Sequence, residues 1–484
     1  MTIEIPGLYA DPPVPRALAP RAKATVFMQE RLAIALLSLI AGAFLYWPLW
    51  RALMPLEMSP NEAWNAWYTD AALHGRPLYP GMGELVVNNY PPLSFYLVGF
   101  ASIFTPDPIY AGRLVSLLSL GVVAFSISLS VRQLGGSRAA AVFGAVFFIA
   151  TIACFFTRYV AIDDPNTLAL AAMGSALAFF LTRLRSGKPV GPAIACMVAA
   201  GFIKHSLVAL PLTALIWLIL TQPRAGLRAS LLGTALVLLG LAICWAAYGT
   251  GFFHQLLMPR VLTIARTLRA ANKIQVIAPA LLFWGLWAWT RRDKPAARFS
   301  ALLLGISYVA CSTQTAGEGV VHNAFFELIF ASSIAVALVF GHIQDTPLAK
   351  HLGAVQAQRV MIMVLVIRLL IGQHAAPYHA IFSQEFRQEI RHKLVVMNAE
   401  IERIKAIPGP VFCSNMTVCY RAGKAFVYDP FWVRQKLSAG TMSQEEINNV
   451  IERAGIRFEQ IDPELAIHKS RLFSEIEHTP SLAV

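Results

Sequence analysis

The chain has 484 residues, 56% of them hydrophobic and 14% charged, with a mean hydropathy of +0.56. A soluble globular chain carries roughly 25% charged and about 45–50% apolar residues. Composition therefore excludes a large soluble core, a disordered chain and a coiled coil, and marks a polytopic membrane protein. The 40 Lys and Arg against 27 Asp and Glu give a formal charge of +13, the mark of cationic cytoplasmic loops rather than of nucleic-acid binding.

Residues 1–31 are polar and Pro-rich, without the apolar core of a signal peptide, and read as a cytosolic tail. Apolar runs of spanning length follow at about 32–50, 112–131, 139–157, 166–183, 190–203, 207–221, 230–248, 276–290, 299–314, 323–341 and 360–374. These predict an α-helical membrane domain of about eleven transmembrane helices over 32–374. The stretch 92–106 is too short to span comfortably and is bounded by prolines, so it reads as interfacial or re-entrant. With the N-terminus inside, the inner loops hold Arg132, Arg138, Arg183, Arg185, Lys188, Arg224, Arg228, Arg291, Arg292, Lys294 and Arg298. Counting 92–106 as a span would put most of these cations outside, against the positive-inside rule. The outer side then carries 51–111, 158–165, 249–275, 315–322 and everything from 375 on.

The first outer loop contains Ser59-Pro60-Asn61-Glu62, a helix start in which Ser59 caps and Glu62 completes a capping box. Trp64, Trp67, Tyr68 and Ala71 share one face, as in an interfacial amphipathic helix. Glu62 is then either a cap or a catalytic carboxylate. Asp70, His74, Asn88, Asn89 and Tyr90 add polar groups suited to a sugar or headgroup. The second outer loop pairs Arg158 with Asp163 and Asp164. Asp164 suits the start of the next helix, yet adjacent ionisable groups at a membrane lip are functional candidates. Lys204-His205 lies in a hairpin between two short spans, where the lysine either snorkels to headgroups or holds a phosphate.

Loop 249–275 carries Arg260, Arg266, Arg269 and Lys273 and no acid. The last three share helical spacing, a basic face for pyrophosphate or for anionic lipid. Further on, His322 precedes Asn323 and Glu327, one turn apart on a late span; Arg368 in the last span is a candidate partner for Glu327. Residues 375–484 alternate helix and strand and predict a small α/β domain with parallel strands near 410–413, 425–428 and 457–461. Cys413 and Cys419 fall in it, as a disulfide or as two thiols. Walker or Rossmann glycine patterns and zinc-type Cys/His clusters are missing from the sequence.

Five places resemble one family. They are Asn61-Glu62 with Leu73-His74-Gly75-Arg76-Pro77-Leu78-Tyr79, then Asn89-Tyr90-Pro91-Pro92-Leu93 with Ala111-Gly112-Arg113-Leu114. Arg158 with Asp163-Asp164-Pro165, Gly201-Phe202-Ile203-Lys204, and His322-Asn323 with Glu327 complete the set, and the tail adds Pro410-Val411-Phe412-Cys413 and Tyr428-Asp429-Pro430-Phe431. In this order they resemble the GT-C glycosyltransferases that use lipid-linked sugars, in the branch of bacterial aminoarabinose and protein mannosyl transferases. The resemblance implies a polyprenyl-phosphate sugar donor, a glycan, lipid or protein acceptor, and transfer on the outer face of the bacterial inner membrane. Taken with the residue readings above, it gives Glu62, Asp163 and Asp164 as candidate catalytic carboxylates, with Asn61, Asn89, Tyr90, Arg158, Lys204, His205, Arg260, Arg266, Arg269, Lys273, His322, Asn323 and Glu327 as candidates around the substrates. Relatives commonly carry Asp-Glu where this chain has Asn61-Glu62, so the base falls to Glu62 or Asp164, or activity is lost. Whether a divalent cation assists is left open: Glu62, Asp163 and Asp164 could hold one, yet carboxylates at three positions do not make a metal site. The competing classes are a transporter of lipid-linked sugar and an inactive lipid-glycan-binding relative.

Overall fold

The structure, a computed structural model, describes residues 20–320, 322–371 and 377–465. Most of the tail expected over 1–31 and the end of the 375–484 domain lie outside the described residues. In chain order the helices are α1 (Pro20–Arg51), α2 (Pro60–Leu73), α3 (Leu93–Ser102), α4 (Pro108–Gln133), α5 (Arg138–Phe155), α6 (Pro165–Arg185), α7 (Gly191–Gly201), α8 (Ala209–Thr221), α9 (Pro223–Leu256) and α10 (Ile264–Ala271). They continue as α11 (Ala278–Thr290), α12 (Pro295–Thr315), α13 (Phe326–Gly341), α14 (Pro347–Leu352), α15 (Ala354–Leu370), α16 (Pro377–Phe382), α17 (Gln384–Ala406), α18 (Met416–Arg421), α19 (Pro430–Ser438) and α20 (Gln444–Ala454).

The starts of these helices are written in the sequence. Ser59, Asp107, Asp164, Thr346 and Asp429 each accept a hydrogen bond from a backbone N–H of the first turn and are each followed by proline. The cap satisfies an orphan donor, and proline loses nothing at a position whose N–H has no helical partner.

Each of the eleven apolar runs contains a helix within its described residues, and seven helices among the described residues are long and apolar enough to cross a membrane: α1, α4, α5, α6, α9, α12 and the segment His322–Gly341. At 1.5 Å per residue, α7 and α8 reach only about 17–20 Å each, shorter than the full-length helices, and both pack on α6 and α9. Helix α3, at about 15 Å, is shorter still, as the reading of 92–106 requires. The segment around α13 has 89% of its apolar window buried against 17% for α9, so α13 is the central helix and α9 peripheral. Close approach centres on small residues: a Cβ on Gly144 of α5 would sit 2.7 Å from Ala337 of α13, while Phe143 stacks on Phe340 at 4.0 Å between ring centroids. Helix α9 breaks at Gly249, whose φ of 66° lies in the left-handed region.

The tail carries a two-stranded parallel sheet, β1 (Val411–Cys413) and β2 (Arg457–Glu459), with Phe412 opposite Phe458. The strand expected at 425–428 does not form. Phe426 stacks on Trp67 of α2 at 4.6 Å, and Trp67 Nε1 donates to the Lys424 carbonyl, so this segment packs on α2 instead of pairing with β1. Cys413 and Cys419 form a disulfide, Cα atoms 5.7 Å apart, tying β1 to α18. The tail docks on one end of the helical bundle. Thr417 N donates to Glu57, Tyr420 to Asp70, and Arg421 pairs with Asp107 at 2.9 Å. Arg434 pairs with Glu318 at 3.0 Å.

Candidate active site

Helix α2 is not the half-exposed amphipathic helix its aromatic face predicts. Trp64, Tyr68 and Ala71 are buried, and so is the opposite row of Glu62, Asn65 and Thr69. The tail covers one face and the bundle the other. The polar row meets the loop between α5 and α6. Asn65 Nδ2 donates to the Asp163 carbonyl at 2.7 Å, which holds that loop against α2.

Glu62 is fully buried, and its carboxylate is saturated. Oε1 accepts from Arg113 Nε at 2.7 Å and from Asp163 N at 3.3 Å. Oε2 accepts from Arg113 Nη2 at 2.7 Å and from Met58 N at 3.0 Å. The predicted capping box is therefore absent: the side chain reaches back past Ser59 to Met58. Arg113 is 1% exposed and also binds the carbonyls of Met54 and Leu56 at 2.5 and 2.7 Å. One bidentate pair thus fixes α2, α4 and the chain between α1 and α2. The sequence offered Arg113 inside a quoted motif, but its partner was visible only in three dimensions.

Asp163 is 2% exposed. A Cβ on Gly112 would fall 2.0 Å from its Oδ1, so the glycine makes the space the carboxyl occupies. Burial first, then the charges of Glu62 and Asp164, raise the Asp163 pKa well above the usual carboxylate range. The preceding Ala161 has φ 53°, the one non-glycine residue at positive φ among the described residues, a strained turn of the kind found at functional sites.

Asp164 caps α6, Oδ1 accepting from Asn166 N at 2.7 Å. The same oxygen is 3.3 Å from Lys204 Nζ in a buried ion pair, and Oδ2 accepts from Asn323 Nδ2 at 3.4 Å. Both contacts are long, so the carboxylate is less committed than that of Glu62. Lys204 lies 5.0 Å from the centre of the Tyr90 ring, which stands edge-on to Trp64. Asn89 is buried beside it. Desolvation first, then the charges of Lys204 and Arg260, lower the imidazole pKa of His205. Arg260 itself lies 4.9 Å from the Trp432 ring centre, so the tail helps to build this side of the lip.

The other expected residues lie further out. The Asn61 side chain is exposed. Arg158 lies 5.9 Å from the ring centre of Tyr159. Arg266 donates to the Val320 carbonyl at 3.5 Å, whereas the side chains of Arg269 and Lys273 lie outside the described residues. His322 packs edge-on near Phe156. Glu327 does not pair with Arg368. Its Oε1 accepts from Ala209 N and Leu210 N at 3.0 and 3.2 Å, closing the start of α8, while Arg368 donates to the carbonyls of Gln275 and Ile371. Glu62 is committed to Arg113, and among the described residues no three His, Cys, Asp or Glu side chains are grouped to hold a metal.

No protein-family model and no curated protein sequence matches the chain. Solved structures do. The crystal structure of ArnT from Cupriavidus metallidurans bound to undecaprenyl phosphate superposes with a TM-score of 0.53 at 11% identity, covering 90% of each chain. The apo ArnT structure from the same organism gives 0.53 at 11% identity over 87% of this chain and 89% of that one. Spread over nearly the whole chain, this likeness shows that the protein has the polytopic GT-C membrane fold that its motifs resemble.

Proposed function

We propose that the chain is a membrane glycosyltransferase that moves a sugar from a polyprenyl-phosphate donor to an acceptor hydroxyl at the outer face of the bacterial inner membrane. The observation that carries this reading is the Asp164–Lys204 pair at 3.3 Å, a carboxylate and a cation side by side at the lip of a GT-C fold. One ArnT structure holds undecaprenyl phosphate, which supports a lipid phosphate as the donor's carrier here too.

An acceptor hydroxyl is a weak nucleophile at neutral pH and gains from a carboxylate within hydrogen-bond reach. In this reading Asp164 takes the hydroxyl proton as the acceptor oxygen bonds to the anomeric carbon. The bond from that carbon to the phosphate oxygen breaks with its electron pair, and polyprenyl phosphate leaves. Lys204, with Arg260 nearby, stabilises the charge that develops on the phosphate. A single displacement without a protein nucleophile inverts the anomeric centre. Tyr90, Asn89, His205 and Asn323 shape the pocket, and Glu62 positions α2 and Asp163 without touching substrate.

Transfer from a radiolabelled polyprenyl-phosphate sugar in membranes tests the reading. Asp164→Asn at equal expression is expected to lose about 10²–10⁴-fold in rate, and Lys204→Gln to lose activity as well. Unchanged rates in both variants would remove the mechanism. Scrambling of the lipid-linked sugar across vesicles without sugar release would replace enzyme by transporter.

A further inference from the structure

Beside Asp163 and Asp164, a small cavity of about 10 Å³ lies between α2, α3, α4 and the start of α6. Its wall includes Asn65, Thr69, Ser94, Gly112, Asp163 and Asp164. Three of its polar atoms, Thr69 Oγ1, Ser94 Oγ and Asp163 Oδ2, are buried and have no hydrogen-bond partner in the protein. Thr69 is 1% exposed, and Ser94 and Asp163 are each 2% exposed. Buried polar groups without partners are rare because each costs free energy, and here three share one space the size of a single atom or water.

The charge count around the cavity is also uneven. Glu62 is matched by Arg113 and Asp164 by Lys204, whereas Asp163 makes no ion pair among the described residues. A buried carboxylate needs a partner. We propose that this cavity is a binding site for one small monovalent cation of the sodium class, held by the Asp163 carboxylate and the Thr69 and Ser94 hydroxyls. Oxygen donors select a hard cation. One carboxylate with neutral hydroxyls suits a single positive charge, and a space of this size has no room for the waters that magnesium retains. Gly112 is part of the site, since any side chain there would displace the carboxylate. The ion would lock α2 to α3, α4 and the strained turn at Ala161, behind the acceptor side of Asp164. Asp164 borders the site, but the proposal rests on cavity and charge and not on the glycosyltransferase reading, and its test reads stability rather than transfer.

Thermal unfolding of the purified full chain in detergent tests it, with sodium chloride exchanged for N-methyl-D-glucamine chloride at constant ionic strength. Sodium is expected to raise the midpoint saturably, by about 2 °C or more per tenfold increase above half-saturation. Potassium should act more weakly. Asp163→Asn should abolish the dependence. Thr69→Val and Ser94→Ala, which keep the charge, should shift half-saturation to higher sodium, and they carry the test if the aspartate variant does not fold. Equal midpoints in the two salts would overturn the proposal and leave a proton as the occupant of Asp163. So would a sodium effect of undiminished size and affinity in all three variants.

Discussion

Glu62 and Asp164 are both acids at the mouth of a helix, and their surroundings give them opposite uses. Glu62 receives four hydrogen bonds, two of them from a buried arginine; Asp164 is held by longer contacts to Lys204 and Asn323. Removing one partner of a buried ion pair leaves a bare charge, at a cost of about 3–5 kcal/mol. Glu62→Gln is therefore expected to reduce folded yield and unfolding temperature, measured by fluorescence-detected size exclusion with heating. Asp164→Asn leaves Lys204 as a bare buried charge too, so it should lower the unfolding temperature by less, its contact being longer, while turnover per folded protein is lost. Gly112→Ala belongs with Glu62: its new methyl would overlap Asp163, and strain of about 1–3 kcal/mol is expected in the same assay. Both acids were legible as candidates because a membrane chain has few reasons to keep carboxylates together. Their division of labour was not, since Arg113 stands 51 residues from Glu62 and Lys204 stands 40 residues from Asp164.

At the scale of elements, termini were more legible than partners. The Ser59-Pro60 and Asp164-Pro165 starts are local chemistry and formed where the sequence puts them, though without the Glu62 capping box. Glu327 shows the limit. It sits on α13 but closes α8, whose Val208 provides no side-chain cap. Glu327→Ala should leave the Ala209 and Leu210 N–H groups unpaired in a buried place and cost about 1–3 kcal/mol, seen as faster hydrogen exchange at the start of α8 with α13 unchanged. The Cys413–Cys419 link clamps α18 to β1. Opening it by Cys413→Ser with Cys419→Ser is expected to cost about 2 kcal/mol, detected as earlier protease cleavage within 414–423.

Across the whole molecule, the seam between tail and bundle contains two acids, Glu57 partly buried and Asp429 buried. Burial beneath α18, with a further push from Glu62, outweighs the Thr417 hydrogen bonds and raises Glu57 to about 7. Burial raises Asp429 to about 6 despite its bonds to Trp432 and Phe431. Carboxylates raised on docking bind protons more tightly in the docked form, so their contribution is full below their ordinary range near pH 4. It is lost as pH rises through 6 to 7. Hydrogen exchange in 416–422, corrected for intrinsic rates, should be slower at pH 5.5 than at pH 8, and Glu57→Gln should flatten the difference. Because Trp432 of the tail stacks on Arg260 at the lip, looser docking is expected to lower transfer as well.

The membrane class, the positions of its helices and the carboxylate-rich lip were determined by the sequence itself, because hydropathy, capping and the cost of charge near lipid act over a few residues. The tertiary structure alone decided which acid is saturated and which is held loosely. It also decided that α2 is buried on both faces, that 425–428 packs on α2 and forms no strand, and that Thr69, Ser94 and Asp163 converge on one cavity. Those outcomes depend on groups far apart in the chain sharing a few ångströms of space, where burial and pairing set the energy of each charge.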